Sequence, residues 1–379
     1  MNTVTLPLGR RSPWLAWTRT AATMIIASAP WVPAQEDIAW AYISPAQSKQ
    51  VGTITPAPSY QHSSVGRSLT VRRLETGHYL VTVPRSAHGY GVPQVSAYGG
   101  SHTMVVSGRS HDPLSAPPTV SIRVDAYDPS GARVDGGFTI YYRDGGDDED
   151  REAYVYSICG SCPSAWGWGP YSWNGRRGFS RVVRTGVGQY RITIPGLGLR
   201  TVKGGHVQVT PHAHQLRRAQ VVRWGSSGRD LVVHVQCTGA AGHPTDGEFY
   251  LSYNERALRS GPACSGASGY TWAAQPLAGG YLPYAFYSDR IGGYSTRPNA
   301  IQRTGIGAYV VNFPELIAAG SSTAQVTTYG SDGTYAVIQG WQGDGAGGTL
   351  VRVQVYDANG RPADAKFNLL YLTTGPIFC

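Results

Sequence analysis

Three sequence anchors recur in the same order along the chain, at spacings of 111–119 residues. This period far exceeds the roughly 20–50 residues of solenoid repeats, so each copy is expected to be a whole domain with its own core. The first anchor is Gly77-His78-Tyr79, Gly188-Gln189-Tyr190 and Gly307-Ala308-Tyr309; the second is Gln94-Val95-Ser96, Gln208-Val209-Thr210 and Gln325-Val326-Thr327. The third has the form Gly-x-x-x-Asp-x-x-Phe and covers residues 131–138, 242–249 and 360–367.

Within each copy the pattern is one of short strands and turns. The segment Tyr190–Ile194 alternates apolar and polar residues and stops at Pro195, which cannot extend a strand ladder. The 49 glycines and 25 prolines of the chain fall between such segments, and no helical stripe of period 3.6 is evident. The sequence therefore predicts an all-β protein of three tandem β-sandwich domains, Ig-like or jelly-roll-like, of about 110 residues and seven strands each. A small barrel is the alternative.

The N-terminus has the features of an export signal. Residues 1–34 contain three arginines and no acid. Within this segment a short apolar run at 20–29 follows the last arginine, and small residues occupy positions Val32 and Ala34. The run is shorter than the roughly 20 apolar residues of a membrane span, and no transmembrane segment is expected elsewhere. Either the general or the twin-arginine route is compatible with Arg10-Arg11, and an uncleaved anchor is the alternative to cleavage. The expected divisions are a signal at 1–34, copy 1 at 35–143, an acidic linker at 144–152, copy 2 at 153–258, a second linker at 259–263 and copy 3 at 264–379.

Positive charge is concentrated in one copy. The chain has a net charge of +9, but copy 2 alone has twelve basic and four acidic side chains, and the acidic linker before it has a net charge of −5. Guanidinium groups bind phosphate or carboxylate, and indole rings stack on sugars, so this copy is predicted to bind an anionic polymer or a glycan. A solvated surface neutralised by the linker is the alternative. The predicted ligand-binding residues are Trp166, Trp168, Trp173, Arg176, Arg177, Arg181, Arg217 and Arg218.

Two charged positions are repeated in all three copies, which indicates a structural role. One set is Arg73, Arg184 and Arg303, and the other is Asp135, Asp246 and Asp364. We expect each aspartate either to cap the turn of the last hairpin or to pair with the arginine across a sheet edge. A ligand site in each copy is the alternative.

Five cysteines in an exported chain favour disulfides, although an odd number leaves one thiol unpaired. The pairing stays open, because five cysteines with one free allow fifteen two-bridge arrangements. Cys159-Gly-Ser-Cys162 is a CxxC sequence in a β context, where a structural role is expected rather than a redox one. Cys379, as the last residue, is placed to cross-link chains.

Motifs for metal or catalytic chemistry are weak. His206, His212 and His214 fit a zinc triad only loosely, because no acid lies near them in sequence to orient the ligands. The acidic linker lacks the spacing of a calcium-binding loop, so a solvated spacer is expected there. No GxSxG, HExxH, P-loop or dinucleotide-binding motif occurs, although paired carboxylates of a glycoside hydrolase need not be close in sequence. No metal, cofactor or catalytic residue is predicted.

Copies 2 and 3 share the signature Arg-Thr-Gly-x-Gly-x-Tyr-x-x-x-x-Pro, then Gln-Val-Thr, then Gly-x-Pro-x-Asp-x-x-Phe. This signature resembles that of a group of uncharacterised exported bacterial proteins built from tandem copies of the unit, often in high-GC bacteria. The resemblance covers residues 153–379 well and copy 1 more loosely, since the Thr-Gly-x-Gly element is broken there at Leu74-Glu75-Thr76-Gly77. It implies export and repetition and carries no activity.

These observations predict a secreted, non-catalytic binding protein that recognises an anionic or glycan surface outside the cell, mainly through copy 2. Cell-wall polymers and polysaccharides are the expected partners, with nucleic acid a less favoured one. The alternatives are a structural surface protein in which the copies act as spacers, and an extracellular hydrolase with an unrecognised site.

Overall fold

A computed structural model describes residues 37–85, 91–145, 151–166, 172–199, 205–255, 267–284, 286–290, 293–294, 297–318 and 321–374. These residues form an all-β structure of 28 strands with two short 3₁₀ helices, at Gln47–Lys49 and Pro58–Tyr60. Seven strands of each copy are six or more residues long, as the sequence predicted, and the others are short edge strands. The predicted export signal, the linker at 259–263, Cys264 and Cys379 lie outside the described residues.

The strands follow the three copies in chain order. Copy 1 has β1 Asp37–Ile43, β2 Gly52–Ile54, β3 Gln61–Ser63, β4 Thr70–Glu75, β5 His78–Pro84, β6 Val92–Tyr98, β7 Thr103–Asp112, β8 Thr119–Tyr127 and β9 Gly137–Asp144. Copy 2 has β10 Glu152–Ser157, β11 Ser164–Trp166, β12 Ser172–Asn174, β13 Arg181–Gly186, β14 Gln189–Ile194, β15 His206–His212, β16 Arg218–Ser227, β17 Asp230–Thr238 and β18 Glu248–Asn254. Copy 3 has β19 Ala267–Ala273, β20 Gly280–Tyr281, β21 Phe286–Arg290, β22 Gly293–Tyr294, β23 Ala300–Gly305, β24 Ala308–Phe313, β25 Ser322–Tyr329, β26 Tyr335–Gly343, β27 Thr349–Tyr356 and β28 Lys366–Thr373.

Every sheet is shared between two copies. The strand orders are β20-β23-β24-β27-β26-β6-β9-β1-β3, β12-β10-β18-β15-β7-β8-β5-β4-β2 and β11-β13-β14-β17-β16-β25-β28-β19-β21-β22. The copies meet at three parallel strand pairs: β7 with β15, β16 with β25, and β26 with β6. These pairs join copy 1 to copy 2, copy 2 to copy 3, and copy 3 back to copy 1 through equivalent strands. The three sandwiches therefore form a closed ring with pseudo-threefold symmetry, within one compact unit of residues 34–379.

The second sequence anchor closes this ring. Each buried glutamine accepts a hydrogen bond from a hydroxyl of the next copy: Gln94 Oε1 from Thr210 at 2.8 Å, Gln208 Oε1 from Thr327 at 2.6 Å, and Gln325 Oε1 from Ser96 at 3.0 Å. The same hydroxyls accept hydrogen bonds from the backbone N–H of Val95, Val209 and Val326 at 2.9–3.1 Å. The Gln-Val-Ser/Thr sequence thus supplies the donors and acceptors of a cyclic network in which buried polar groups satisfy one another.

Each copy keeps its own apolar core between its two sheets. The largest buried side chains of the three cores come from equivalent strands and include Tyr79 and Phe138 in copy 1, Tyr190 and Phe249 in copy 2, and Phe313 and Tyr371 in copy 3. The aromatic residue of the first anchor packs on the phenylalanine of the third in every copy, with ring centroids 5.2–5.3 Å apart. The first and third anchors therefore meet inside each sandwich, whereas the second anchor joins one sandwich to the next.

The described ends of the acidic linker differ from the expected solvated spacer. Asp144 is the last residue of β9 and Glu152 the first of β10, and both carboxylates are buried. Arg85 forms a 2.7 Å ion pair with Asp144, and Arg143 forms one with Glu152. Burial raises the pKa of Asp144 to about 6, although Arg85 opposes the shift. These charges fix the junction between copies 1 and 2 instead of neutralising the surface of copy 2.

Candidate functional site

The repeated arginine and aspartate form the same ion pair in all three copies. Two guanidinium nitrogens of Arg184 donate to the two carboxylate oxygens of Asp246 at 2.9 and 3.0 Å, and the pairs Arg73–Asp135 and Arg303–Asp364 have the same two-point geometry. Each aspartate also accepts a hydrogen bond of 2.7–2.9 Å from the glycine N–H of the first anchor, at Gly77, Gly188 and Gly307. The aspartate therefore holds the turn of a different hairpin from the one in which it lies.

The close packing of the turn that the aspartate holds explains why the first anchor begins with glycine. Gly188 has φ +65°, and a Cβ atom there would lie 2.4 Å from the carbonyl oxygen of Cys237. Because the turn is pressed against a neighbouring strand, the carboxylate can reach its backbone N–H. Hydrogen bonds from the arginine hold the pKa of Asp364 at about 2, and lower that of Asp135 and Asp246. The position is filled by internal contacts in all three copies, in accord with a structural role.

The structure does not assemble the predicted ligand-binding residues into one site. Trp173 is half-buried and stacks on Tyr154 at 5.9 Å, where it packs against the core of copy 1. Arg176 and Arg177 lie in the turn after β12, and the backbone of Trp166 pairs with that of Arg181 in the sheet. Trp168 lies outside the described residues.

Arg217 and Arg218 lie at the other end of copy 2, and Arg218 is buried instead of exposed. Its guanidinium donates to the carbonyl oxygens of Ala240 at 2.9 Å and Ala358 at 3.1 Å, and lies 4.7 Å from the centre of the Tyr335 ring. Arg217 is half-buried and donates to the carbonyl oxygen of Leu216 at 3.1 Å. Arg217 precedes β16 and Arg218 begins it, and the two side chains have different surroundings, so a sequence cluster of arginines does not make a surface cluster.

Strand register places one of the predicted residues, Arg181, on one surface with three basic residues that were not predicted. His234 of β17 lies opposite Arg191 of β14 on one side and opposite Arg223 of β16 on the other. Arg181 of β13 lies opposite Thr193, two residues along β14 from Arg191 on the same face. The three arginines are exposed and His234 is half-buried. We call Arg181, Arg191, Arg223 and His234 the basic face of copy 2.

The centre of the basic face is a pair of arginines on either side of a histidine, on adjacent strands. Strands lie about 4.8 Å apart, so Arg191 and Arg223 are separated by roughly 10 Å with His234 between them. Burial lowers the pKa of His234, and the positive charges of Arg223 and Arg191 lower it further. Among the described residues, neither Arg191 nor Arg223 has a carboxylate within ion-pair distance. Asp230 lies four residues from His234 on the same side of β17 and accepts a hydrogen bond from the Gly196 N–H.

Equivalent positions in the other copies lack this row. The residues in register with Arg123 of copy 1 are Leu80 and Gly108, and those in register with Arg352 of copy 3 are Val310 and Gly340. Each copy thus has a basic residue at the centre, but only copy 2 adds an arginine on both sides. The sequence prediction included Arg181 but missed Arg191, Arg223 and His234, because these three lie on separate strands. The alternation of Arg191 with core residues was the available signal.

The three histidines that were considered as a zinc triad are not brought together in the structure. His206 and His212 lie at opposite ends of β15, and His206 is buried against Tyr270, with a pKa lowered to about 3 by burial. His212 has an acid beside it after all, because register places Glu248 opposite; Nδ1 lies 2.8 Å from Glu248 Oε2 and 2.9 Å from the Tyr156 hydroxyl. In the described part of the chain, no group of three or more histidine, cysteine or acidic side chains is placed to hold a metal ion.

Cys159 and Cys162 form a disulfide, and Cys237 is a buried free thiol whose pKa burial raises to about 12. Among the residues described, no helix is long and apolar enough to cross a membrane. Comparisons with protein-family models, with curated proteins and with solved structures gave no match.

Proposed function

We propose that this chain is an exported, non-catalytic binding protein that recognises an anionic polymer through the basic face of copy 2. The observation that carries the proposal is the row Arg191–His234–Arg223, which has exposed arginines and no described carboxylate partner. Fixed cations on a rigid sheet match the repeating charges of a polyanion, and several weak contacts on one surface act together.

An anionic polymer is favoured over a neutral glycan. Trp173, the one predicted tryptophan whose side chain the structure describes, packs against the core of copy 1 and is not free to stack on a sugar. Three of the four acidic side chains of copy 2, Asp246, Glu248 and Glu255, form ion pairs away from the basic face, and the fourth, Asp230, accepts a hydrogen bond from the Gly196 N–H. Phosphodiester, sulfate and carboxylate polymers share the required chemistry.

Export is part of the proposal and is supported by the N-terminal sequence. The disulfide between Cys159 and Cys162 suits an oxidising compartment. The alternative of an extended spacer has less support, because the edges of the copies are used to close a ring rather than to extend a string.

The test is retention of the purified protein on immobilised polyanions at low and rising salt. The columns are dextran sulfate, a teichoic-acid polymer, double-stranded DNA and uncharged dextran. We expect retention on at least one polyanion and none on dextran, and we expect R191Q/R223Q to elute at clearly lower salt. The matched control R72Q/R361Q removes the same charge from exposed positions in copies 1 and 3. Equal shifts in both variants would reduce the interaction to net charge and overturn the proposal, as would the absence of retention on every polyanion.

A further inference from the structure

A cavity of about 50 Å³ lies where the three copies meet. Its walls include Val95, Val209 and Val326 of the ring-closing anchor, one from each copy, and Ser96 and Thr327 beside them. Equivalent residues of all three copies surround it, so it lies around the pseudo-threefold axis. One water molecule needs roughly 10–15 Å³ of such volume, so the cavity has room for a larger guest.

One position of the cavity wall differs chemically between the copies. Thr103, Arg218 and Tyr335 begin the equivalent strands β7, β16 and β26, and they pair with Tyr127, Thr238 and Tyr356 respectively. All three line the cavity. Since copies 1 and 3 build the same strand with threonine and tyrosine, the fold does not require a cation here.

Arg218 is a buried cation without a buried anion. It is 2% exposed, and among the described residues no carboxylate lies within ion-pair distance of it. Its terminal nitrogens donate to main-chain carbonyl oxygens, but its Nε has no acceptor. Asp357 interacts with Arg218 only through long-range electrostatics. Its carboxylate accepts hydrogen bonds from backbone N–H groups of its own turn.

A second polar group in the same wall is also unsatisfied. The Thr103 hydroxyl is buried and has no hydrogen-bond partner in the structure. Burying an unpaired charge is expensive, and buried charges in proteins are normally paired. A guanidinium N–H and a hydroxyl both donate, so together they match an acceptor that carries negative charge.

We propose that the axial cavity binds one small monovalent anion, of the size of chloride, bromide or nitrate, through Arg218 and Thr103. The guest neutralises the buried guanidinium and joins copies 1 and 2 at the centre of the ring. The cavity is too small for a segment of a sugar or nucleotide polymer, so this site is separate from the basic face.

The first experiment measures thermal stability while chloride, bromide or nitrate replaces gluconate at constant sodium concentration. Gluconate is the reference because its six-carbon chain is too large for the cavity. A ligand that binds only the folded state stabilises it by RT ln(1 + [L]/Kd), so the melting temperature should rise logarithmically above Kd. We expect this rise for the small anions, and a tenfold or greater weakening of the half-effect concentration in T103V, which keeps the shape and removes the hydroxyl.

R218M should abolish the response, and R217M is the matched control because it removes the adjacent, half-buried guanidinium. Since R218M could fail to fold, crystals of the unaltered protein grown in bromide supply an independent readout. Anomalous scattering should locate one bromide in the axial cavity, next to Arg218. Water alone in the cavity, or an anion response that R218M and T103V retain in full, would overturn the proposal. Neither result depends on polyanion retention, so this site and the basic face can fail separately.

Discussion

The substitution T327V tests whether the cyclic network holds the three copies together. Valine has nearly the shape of threonine but cannot accept the Val209 N–H at 3.1 Å or donate to Gln208 Oε1 at 2.6 Å. Both groups lie in the buried centre of the ring, so each loses a buried hydrogen-bond partner. An unsatisfied buried donor or acceptor costs about 1–3 kcal/mol, so the loss of both partners should cost the variant about 2–6 kcal/mol. At about 2 °C per kcal/mol for a large domain, the melting temperature should fall by about 4–12 °C.

The assay is thermal and urea unfolding of the purified protein, followed by circular dichroism and by tryptophan fluorescence. The matched control is T193V, since Thr193 lies on the outer face of copy 2 with no hydrogen bond from its hydroxyl in the structure. Surface changes of this kind stay within about 0.5 kcal/mol. The reasoning fails if T327V melts within 1 °C of T193V, because the network would then contribute no more than an exposed hydroxyl.

Three further outcomes follow from the same structure. Calorimetry should give one cooperative unfolding transition, because every sheet runs through two copies; three separate transitions would contradict the ring. G188A should be far more destabilising than G228A, since both positions have positive φ but only the Cβ at Gly188 would meet a backbone oxygen, at 2.4 Å; equal melting temperatures would exclude this close approach. The pKa of Asp364 is lowered to about 2, so its stabilising contribution is complete above pH 4 and is lost as the pH falls towards 2. Acid titration of stability should therefore be shallower between pH 4 and 2 in D364N, and an unchanged slope would show that Asp364 does not couple to folding.

The sequence predicted the local architecture because that information is local. Alternation along Tyr190–Ile194 and the stop at Pro195 indicate a strand and its end without reference to any distant residue. The repeated charges also indicated an Arg184–Asp246 relationship, because equal offsets in three copies place both residues in one structural unit. Sequence left open which turn the aspartate would hold, and the structure places that turn 58 residues earlier, at Gly188.

Ring closure could not be predicted from the sequence because its contacts join residues more than a hundred positions apart. Thr210 and Gln94 are separated by 116 residues, and the strand pairs between copies are parallel, so no tight turn marks them. The basic face was hidden for a related reason. Its arginines are isolated in sequence and become neighbours only through strand register, whereas adjacent residues such as Arg217 and Arg218 diverge.

Ring closure also occupies the strands through which the copies pair with one another. Each copy pairs one strand with the copy before it and another with the copy after it, and the third copy pairs with the first. A fourth unit could not enter these three parallel pairs without displacing one of them, because each of their strands already has its partner in another copy. Loss of one unit would leave two strands without their partners in the neighbouring copy, and such unpaired strand edges are templates for pairing with other chains. The three copies thus share one geometry at these strand pairs, while their sequences differ at equivalent positions such as Thr103, Arg218 and Tyr335.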